Sequence, residues 1–315
     1  MGMLRPFKGL SEAGVLGMNT RNADIIMALN PRSKFPLVDN KVATKELAAL
    51  HNIPTPALYG VIMKHGDIKN FHSITESRDS FVVKPARGSG GSGIVLVKER
   101  QGDTLITQAG KSISTADLIY HITDILSGIF SLEGHDDSVI IEALIHPDDV
   151  FNSVAYRGVP DIRVVVYRGV PIMAMVRLPT AASDGKANLH GGAIGAGIDL
   201  KTGLTANAVH RSAIVSHHPD TGNPVSGIEV PYWEKILLMA ARSLEMTGLG
   251  YVGADMVLDR DRGPLLLELN ARPGLAIQVA NRAGLLGRIR QVDTASGDIF
   301  ATPESRVDWA RQTIR

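Results

Sequence analysis

Residues 253–274 read GADMVLDRDRGPLLLELNARPG. Two runs rich in apolar residues flank an Asp-Arg-Asp-Arg-Gly cluster, the pattern of two strands joined by a turn. Placing the turn at Arg260–Gly263 sets Asp259 against Pro264 and Asp255 directly opposite Glu268. Side chains alternate along a strand, so Glu268 and Asn270 share a face, and cross-strand Cβ atoms lie about 4.5–5.5 Å apart. Two carboxylates and an amide oxygen then converge on one patch among Leu265, Leu267 and Leu269. Carboxylates that close, in an apolar setting, repel and lose solvation unless a cation sits with them. All-oxygen donors suit Mg²⁺, or Mn²⁺, which keep waters and bridge phosphates. The same alternation also describes a solvent-facing polar stripe on an edge hairpin. Arg272, ahead of Pro273-Gly274, weighs against that alternative, since a cation beside a metal–carboxylate cluster suits an anionic phosphoryl group.

Outward from this hairpin, DIRVVVYRGVPIMAMVR (161–177) reads as two strands joined at Arg168-Gly169, and a glycine-rich stretch follows from 185 to 203. Strands are also expected at 81–84 (FVVK), 94–97 (IVLV) and 138–145 (SVIIEALI). Helical patterns cover 11–30, the segment after an Asp39-Asn40 cap, the segment from Thr115, and 231–247 with Pro231 at the first helical position. From about residue 288 the chain is polar, with helix expected only at its end. Many hairpins mixed with helices give an α+β class rather than an alternating βα sheet.

Within this frame several charged residues sit where burial is expected. Lys84 ends an apolar strand, and a buried lysine needs an anionic partner. It opens the loop Gly88-Ser89-Gly90-Gly91-Ser92-Gly93, whose backbone N–H groups and hydroxyls can approach phosphate oxygens, although it lacks the GxxxxGK[ST] pattern and also reads as a flexible connection. Lys41 is a weaker second cation, since a lysine at the start of an exposed helix is usually just solvated. Glu142 lies inside an apolar strand, either as an ion-paired or edge carboxylate or beside backbone that can hydrogen-bond a purine edge. Asp161 and Arg163 flank Ile162 on one face, where an Asp–Arg pair is the plain structural reading, and Arg177 can be solvated just as easily. Lys186 and Asn188 precede Gly191-Gly192. His190 and the His217-His218 pair read as loop residues without partners at metal spacing.

Composition bounds the functional classes. The 315 residues are 44% hydrophobic and 21% charged, which is ordinary for a globular chain and excludes a mainly disordered one. Thirty-three Lys+Arg against 32 Asp+Glu leave no net field to hold a polyanion, so no nucleic-acid partner is expected. Absence of cysteine excludes disulfides, thiolate metal sites and a thiol nucleophile. No apolar run reaches the roughly 18 residues of a membrane span, so no membrane insertion is expected and a cytoplasmic location is.

Lys84 with its glycine loop, Glu142, Asp161-x-Arg163, Arg177, Asn188 before Gly191-Gly192, and Asp255…Glu268-x-Asn270-x-Arg272 together resemble the ATP-grasp superfamily. The likeness is to the ribosomal-protein glutamate ligases and related alpha-L-glutamate ligase-like proteins, carried by DIRVVV, NLHGGA and LELNARPGL over roughly residues 37–290. The resemblance implies ATP clasped between a lid, about 76–145, and a larger antiparallel-sheet domain within an ATP-grasp domain spanning 37–290. A short N-terminal helical segment, 1–36, would stand in place of the relatives' leading α/β domain, which is expected to be truncated. Residues 291–315 would form a polar C-terminal tail. Lys84 and Lys41 would contact the nucleotide, Gly88, Ser89, Gly90, Gly91 and Ser92 would cover its terminal phosphates, and Glu142, Ala143 and Leu144 would meet adenine. Asp161 would contact ribose, with Asp148 or Asp149 as competitors because the stretch before it is longer than in those ligases. Lys186 and Asn188 would lie on the phosphate side, and Asp255, Glu268 and Asn270 would hold Mg²⁺.

The expected chemistry is an ATP- and Mg²⁺-dependent carboxylate–amine ligation through an acyl phosphate, ADP-forming. It would add an amino acid, glutamate being the candidate the resemblance offers, to a peptide, protein or small acceptor. Arg177 and Arg272 would steady the transferring phosphoryl group. Arg163, with Gly191 and Gly192, would face the acceptor. A protein partner or a homo-oligomer would complete the substrate cleft. Two alternatives stay open: a nucleotide-binding subunit active only with a second protein, and an ATP-grasp kinase.

Overall fold

The computed structural model describes residues 9, 12–88, 90–131, 134–211 and 213–314. The chain divides into two units: Asn40–Glu46 with Thr55–His146, and Met1–Asp39 with Leu47–Pro54 and Pro147–Arg315. The smaller unit is thus wider than the expected lid at 76–145.

In the smaller unit, α1 (Lys41–Leu50) contributes its first residues, up to Glu46. Asn40 caps α1, its Oδ1 accepting from Val42 N–H at 2.9 Å, as the Asp39-Asn40 signal implies. Six strands, β1 (Leu58–Ile62), β2 (Phe81–Pro85), β3 (Val95–Gln101), β4 (Thr104–Thr107), β5 (Ser112–Ser114) and β6 (Val139–Glu142), pair antiparallel in the order β1-β6-β2-β3-β4-β5. β6 is shorter than the apolar run suggests, because Ala143 N–H leaves the ladder for Ala57 O. One face is apolar: Phe81, Val83, Val139 and Ile141 pack with Leu118, Ile122 and Ile125 of α2 (Thr115–Leu126). Ser114 and Asp117 start α2 with a capping box. Lys84 and Glu142 sit at alternate positions and so project from the opposite face.

Seven strands build the larger unit: β7 (Asp161–Tyr167), β8 (Val170–Leu178), β9 (Ile194–Ile198), β10 (Thr205–His210), β11 (Ala213–Val215), β12 (Tyr251–Asp259) and β13 (Gly263–Asn270). Their order is β11-β10-β9-β8-β7-β12-β13, again antiparallel throughout. The β7–β8 turn is made by Arg168 and Gly169, with φ of 51° and 78°, the left-handed pair a tight hairpin requires. Around the sheet pack α3 (Trp233–Ala241), α4 (Ala276–Asn281), α5 (Leu285–Asp293) and α6 (Pro303–Thr313).

Several boundaries depart from the sequence reading. α3 starts at Trp233, because Tyr232 takes a left-handed φ of 58° and breaks the helix ahead of it, so Pro231 is not its first residue. Among the described residues the early helical run is Met18–Thr20, Arg21–Ile26 and Met27–Leu29, with a π-helical middle, and position 11 of the expected helix lies outside the described residues. Asn30 ends it and reaches into the sheet, donating from Nδ2 to Tyr251 O at 2.6 Å and Ala271 O at 3.0 Å. Leu16, Ile25, Ile26 and Phe35, among the described residues before position 37, are buried in the larger unit's core. Near the end of the chain Val307, Ala310 and Ile314 are buried in the same core. Among the described residues no helix is long and apolar enough to cross a membrane.

Candidate active site

Hairpin register places the polar residues of the larger unit. Asp255 lies opposite Glu268, as the sequence implies, but by a different route. The loop is one residue shorter than expected, with Asp259 opposite Gly263 rather than Pro264. The ladder then slips by one residue between Met256↔Leu266 and Asp255↔Glu268, so Leu267 is bulged. Without that bulge Asp255 would face Leu267. β7–β8 repeats the device: the slip between Val166↔Pro171 and Val165↔Met173 bulges Ile172 and brings Arg177 opposite Asp161. Since Arg163 is also opposite Asp255, two adjacent cross-strand rows, Arg177–Asp161 and Arg163–Asp255–Glu268, set two residues apart on β7, make one stepped row across four strands.

Ion pairs join this row. Arg163 donates from Nε to Asp255 Oδ1 at 2.7 Å and from Nη2 to Oδ2. Arg177 grips Asp161 with Nε and Nη2 and also reaches Asp255 Oδ2 from Nη2 at 2.9 Å. Asp161 therefore pairs with Arg177 rather than with its neighbour Arg163, and Arg177 is half-buried and ion-paired rather than solvated, with 12% of its side chain exposed. Burial alone would raise the Asp255 carboxyl, but Arg163 and Arg177 outweigh it and hold the group at about 2. For Asp161, burial reinforced by the like charge of Asp255 pushes the carboxyl up to about 6 against the pull of Arg177. Burial opposes the charge on both arginines. Asp161, Asp255 and more weakly Glu268 nevertheless hold Arg177 above its ordinary value, and Asp255 does so for Arg163.

The metal-ligand expectation meets a mixed setting. Among the described residues no three His, Cys, Asp or Glu side chains gather in a metal-holding group. Asp255 and Glu268 are two carboxylates, and Asn270 Oδ1 accepts from Arg272 N–H at 2.8 Å. A magnesium ion takes one or two protein carboxylates and fills its shell with water and phosphate oxygens, so this donor set fits one in kind and number. Two guanidinium groups supply the positive charge that the buried Asp255 needs. Gly253, opposite Asn270, keeps the neighbourhood open, since a Cβ there would come 2.9 Å from Pro273 Cβ and 3.8 Å from Arg163 Nε.

Other expected residues fall elsewhere. Arg272 is exposed and lies over the Phe35 ring, 4.8 Å from its centroid, outside the ion-paired row. Lys186 is exposed, and Asn188 Oδ1 accepts from His190 N–H at 3.0 Å in a turn closed by Gly191 and Gly192. That loop is anchored by a residue read only as loop: buried His218, whose Nδ1 accepts from Asp220 N–H while Nε2 bonds Pro179 O at 2.9 Å. Asp220 Oδ2 in turn accepts from Ala181 N–H. Asp148 caps the turn Asp149–Val154, and Asp149 pairs with Arg260 at the surface.

The smaller unit carries a separate charged cluster. Glu142, Lys84 and Lys45 are 2%, 6% and 6% exposed. Lys84 Nζ pairs with Glu142 Oε1, and Lys45 Nζ lies 2.7 Å from Oε2 while donating to Pro56 O at 2.7 Å. Burial would raise the Glu142 carboxyl, but Lys84 and then Lys45 overcome it and keep it below the usual range. Burial lowers Lys45 from its ordinary value, against the pull of Glu142. Sequence reasoning missed Lys45; its signal was a position four residues after Lys41, on the same helical face. Lys41 itself donates from Nζ to Gly88 O at 2.6 Å and from its N–H to Ala86 O. The glycine loop keeps left-handed Gly90, Gly91 and Gly93, and exposed Ser92, while Ser89 lies outside the described residues. Ala143 and Leu144 follow β6 as buried, irregular backbone.

In fold the chain is similar to several solved proteins. One is the ATP-grasp ligase PsnB complexed with a minimal precursor (15% identity, TM-score 0.45, covering 84% of this chain and 62% of that one). Another is D-alanine–D-alanine ligase from Bacillus anthracis complexed with ATP (15%, 0.44, 89% and 67%). A third is a RimK domain ATP-grasp protein from Sphaerobacter thermophilus (16%, 0.42, 84% and 70%). The chain thus spans less than two thirds of the length of the first of these. No curated protein matches it. Residues 20–294 match the family described as Sugar-transfer associated ATP-grasp, and the chain belongs to that ATP-grasp family.

Proposed function

We propose that the protein is an ATP- and Mg²⁺-dependent ligase that joins a carboxylate to an amine through an acyl phosphate. The observation that carries this reading is the row Arg177, Asp161, Arg163, Asp255 and Glu268, in which two guanidinium groups are held rigidly by buried carboxylates beside further oxygen donors. Such a row binds and orients anions without a dedicated nucleophile, and phosphoryl transfer asks for little more than positioning and charge neutralisation.

A substrate carboxylate oxygen attacks the γ-phosphorus of ATP, and the bond to the β,γ-bridging oxygen breaks to release ADP. An amine then attacks the acyl carbon of the acyl phosphate, phosphate leaves, and the amine nitrogen loses its proton to solvent. Arg177 uses Nε and Nη2 for Asp161 and Asp255, so Nη1 is the edge offered to a phosphoryl or acyl-phosphate oxygen. Arg163 orients the acceptor carboxylate. Asp255, Glu268 and Asn270 would hold Mg²⁺, which when bound neutralises phosphate charge. Lys84, Lys41 and the Gly88–Gly93 loop contact the nucleotide phosphates, Glu142, Ala143 and Leu144 its base, and Asp161 its ribose. Lys186 and Asn188 lie on the phosphate side. The amine donor is an amino acid, glutamate first among those to try, and the acceptor a peptide, protein or small carboxylate.

A phosphate-release screen of amino acids paired with acidic peptides tests the proposal. ADP and phosphate formation that requires both a carboxylate and an amine, with hydroxylamine trapping the acyl intermediate, is the expected result. ADP release without any new amide bond overturns it.

A further inference from the structure

We propose that Lys45 is a positioning residue: it turns a neutral Lys84–Glu142 pair into a cationic cluster and so leaves the Lys84 ammonium available to a nucleotide phosphate. This rests on the nucleotide reading above and adds a residue to it.

Three observations lead there. First, the carboxylate is shared: Lys84 pairs with Oε1 of Glu142 and Lys45 with Oε2. Second, all three groups are buried, at 6%, 2% and 6% exposure for Lys84, Glu142 and Lys45, so solvent does little to screen them. Third, Lys45 is pinned in place by Pro56 O, which fixes its charge over Glu142 and away from solvent. Two ammonium groups against one carboxylate leave one positive charge without a match, and a buried excess charge favours an anionic partner.

Lys84 facing Glu142 alone would be a closed, neutral ion pair, with little attraction for an incoming anion. Lys45 competes for the same carboxylate and weakens its hold on Lys84, whose ammonium has three donors to distribute. The excess charge sits on β2 and α1, where Lys84 opens into the glycine loop and Lys41 donates to Gly88 O.

The test is binding of ATP, AMP and adenosine to the full chain by calorimetry and NMR titration, for wild type, Lys45→Met and Lys45→Arg, each checked for folding by thermal melt. If Lys45 acts through charge, Lys45→Met weakens ATP by roughly tenfold or more, AMP less, and adenosine within about threefold of wild type. Lys45→Arg restores most of the ATP affinity. Should Lys45→Met not fold, Lys45→Gln carries the same comparison, because its amide N–H can still donate to Pro56 O. Equal loss of ATP and adenosine, or no loss of either, overturns the role given to Lys45 while the nucleotide reading stands. Wild type that binds neither ATP nor adenosine overturns the nucleotide reading itself, and this inference with it.

Discussion

Asp255 and Glu268 face each other across β12 and β13 only because Leu267 is bulged out of the ladder between them and the turn. Bulges re-aim side chains next to functional sites, and here one residue of slip replaces an apolar partner by a carboxylate. The same holds for Arg177 and Asp161 across the Ile172 bulge. Both slips serve the same face of the same sheet.

Glu268→Gln keeps the size and the strand position but removes the negative charge. Metal-dependent turnover is expected to fall by roughly 10²–10³-fold, with the melting temperature nearly unchanged because Glu268 is only half-buried. His190→Ala, at an exposed turn position, is the control and should matter far less. Phosphate release and circular dichroism melts on both variants check the pair, and full activity in Glu268→Gln would refute the metal-ligand role.

Asp255→Asn should be worse for folding than for any single contact it removes. It leaves Arg163 and Arg177 with Asp161 and, more weakly, Glu268 as counter-charge, and breaking a buried ion pair from one side costs roughly 3–5 kcal/mol. Urea unfolding of Asp255→Asn against the double variant Asp255→Asn with Arg163→Met measures this. The double variant should recover part of the loss.

Stability should depend on pH in two windows of opposite sign. Asp255 is held at about 2, below its unfolded value, so its contribution is present above about pH 4 and is lost as pH falls towards 2. Asp161 is pushed up to about 6, so the native state prefers its protonated form, and stability is lost as pH rises from about 4 to 6. Urea midpoints in the presence of EDTA should show the Asp161→Asn variant without the upper window and with the lower one intact.

The loop after β8 is positioned from outside itself. A Cβ on Gly158 would sit 1.8 Å from Gly185 O, so Gly158→Ala must displace the backbone that leads into Lys186 and Asn188. A loss of roughly 1–3 kcal/mol is expected for such overpacking. His218→Ala should loosen the same loop by releasing Pro179 O and Asp220 N–H. Limited proteolysis between Thr180 and Gly192 should accelerate in both variants, and unchanged cleavage would show that the loop holds itself.

Local periodicity determined a good deal. Alternation placed Glu268 with Asn270 and Asp161 with Arg163 on single faces, and the left-handed Arg168-Gly169 pair fixed one hairpin, because these depend on residues within a few positions of one another. The combination of motifs was enough to indicate the ATP-grasp superfamily, while the family that residues 20–294 match is its sugar-transfer associated branch rather than the glutamate ligases the motifs resemble. Only the tertiary structure decided who pairs with whom. That β7 lies beside β12 is a contact between residues some ninety positions apart, and it alone gives Asp255 to Arg163 and Arg177. Lys45 joins Glu142 through a helix and a strand with most of the smaller unit intervening in sequence. Arg272, just past β13 in sequence, turns onto Phe35. The physical reason is common to all three: a buried charge settles on whatever opposite charge or ring the fold brings within reach, and strand order and bulges set that reach, not sequence spacing.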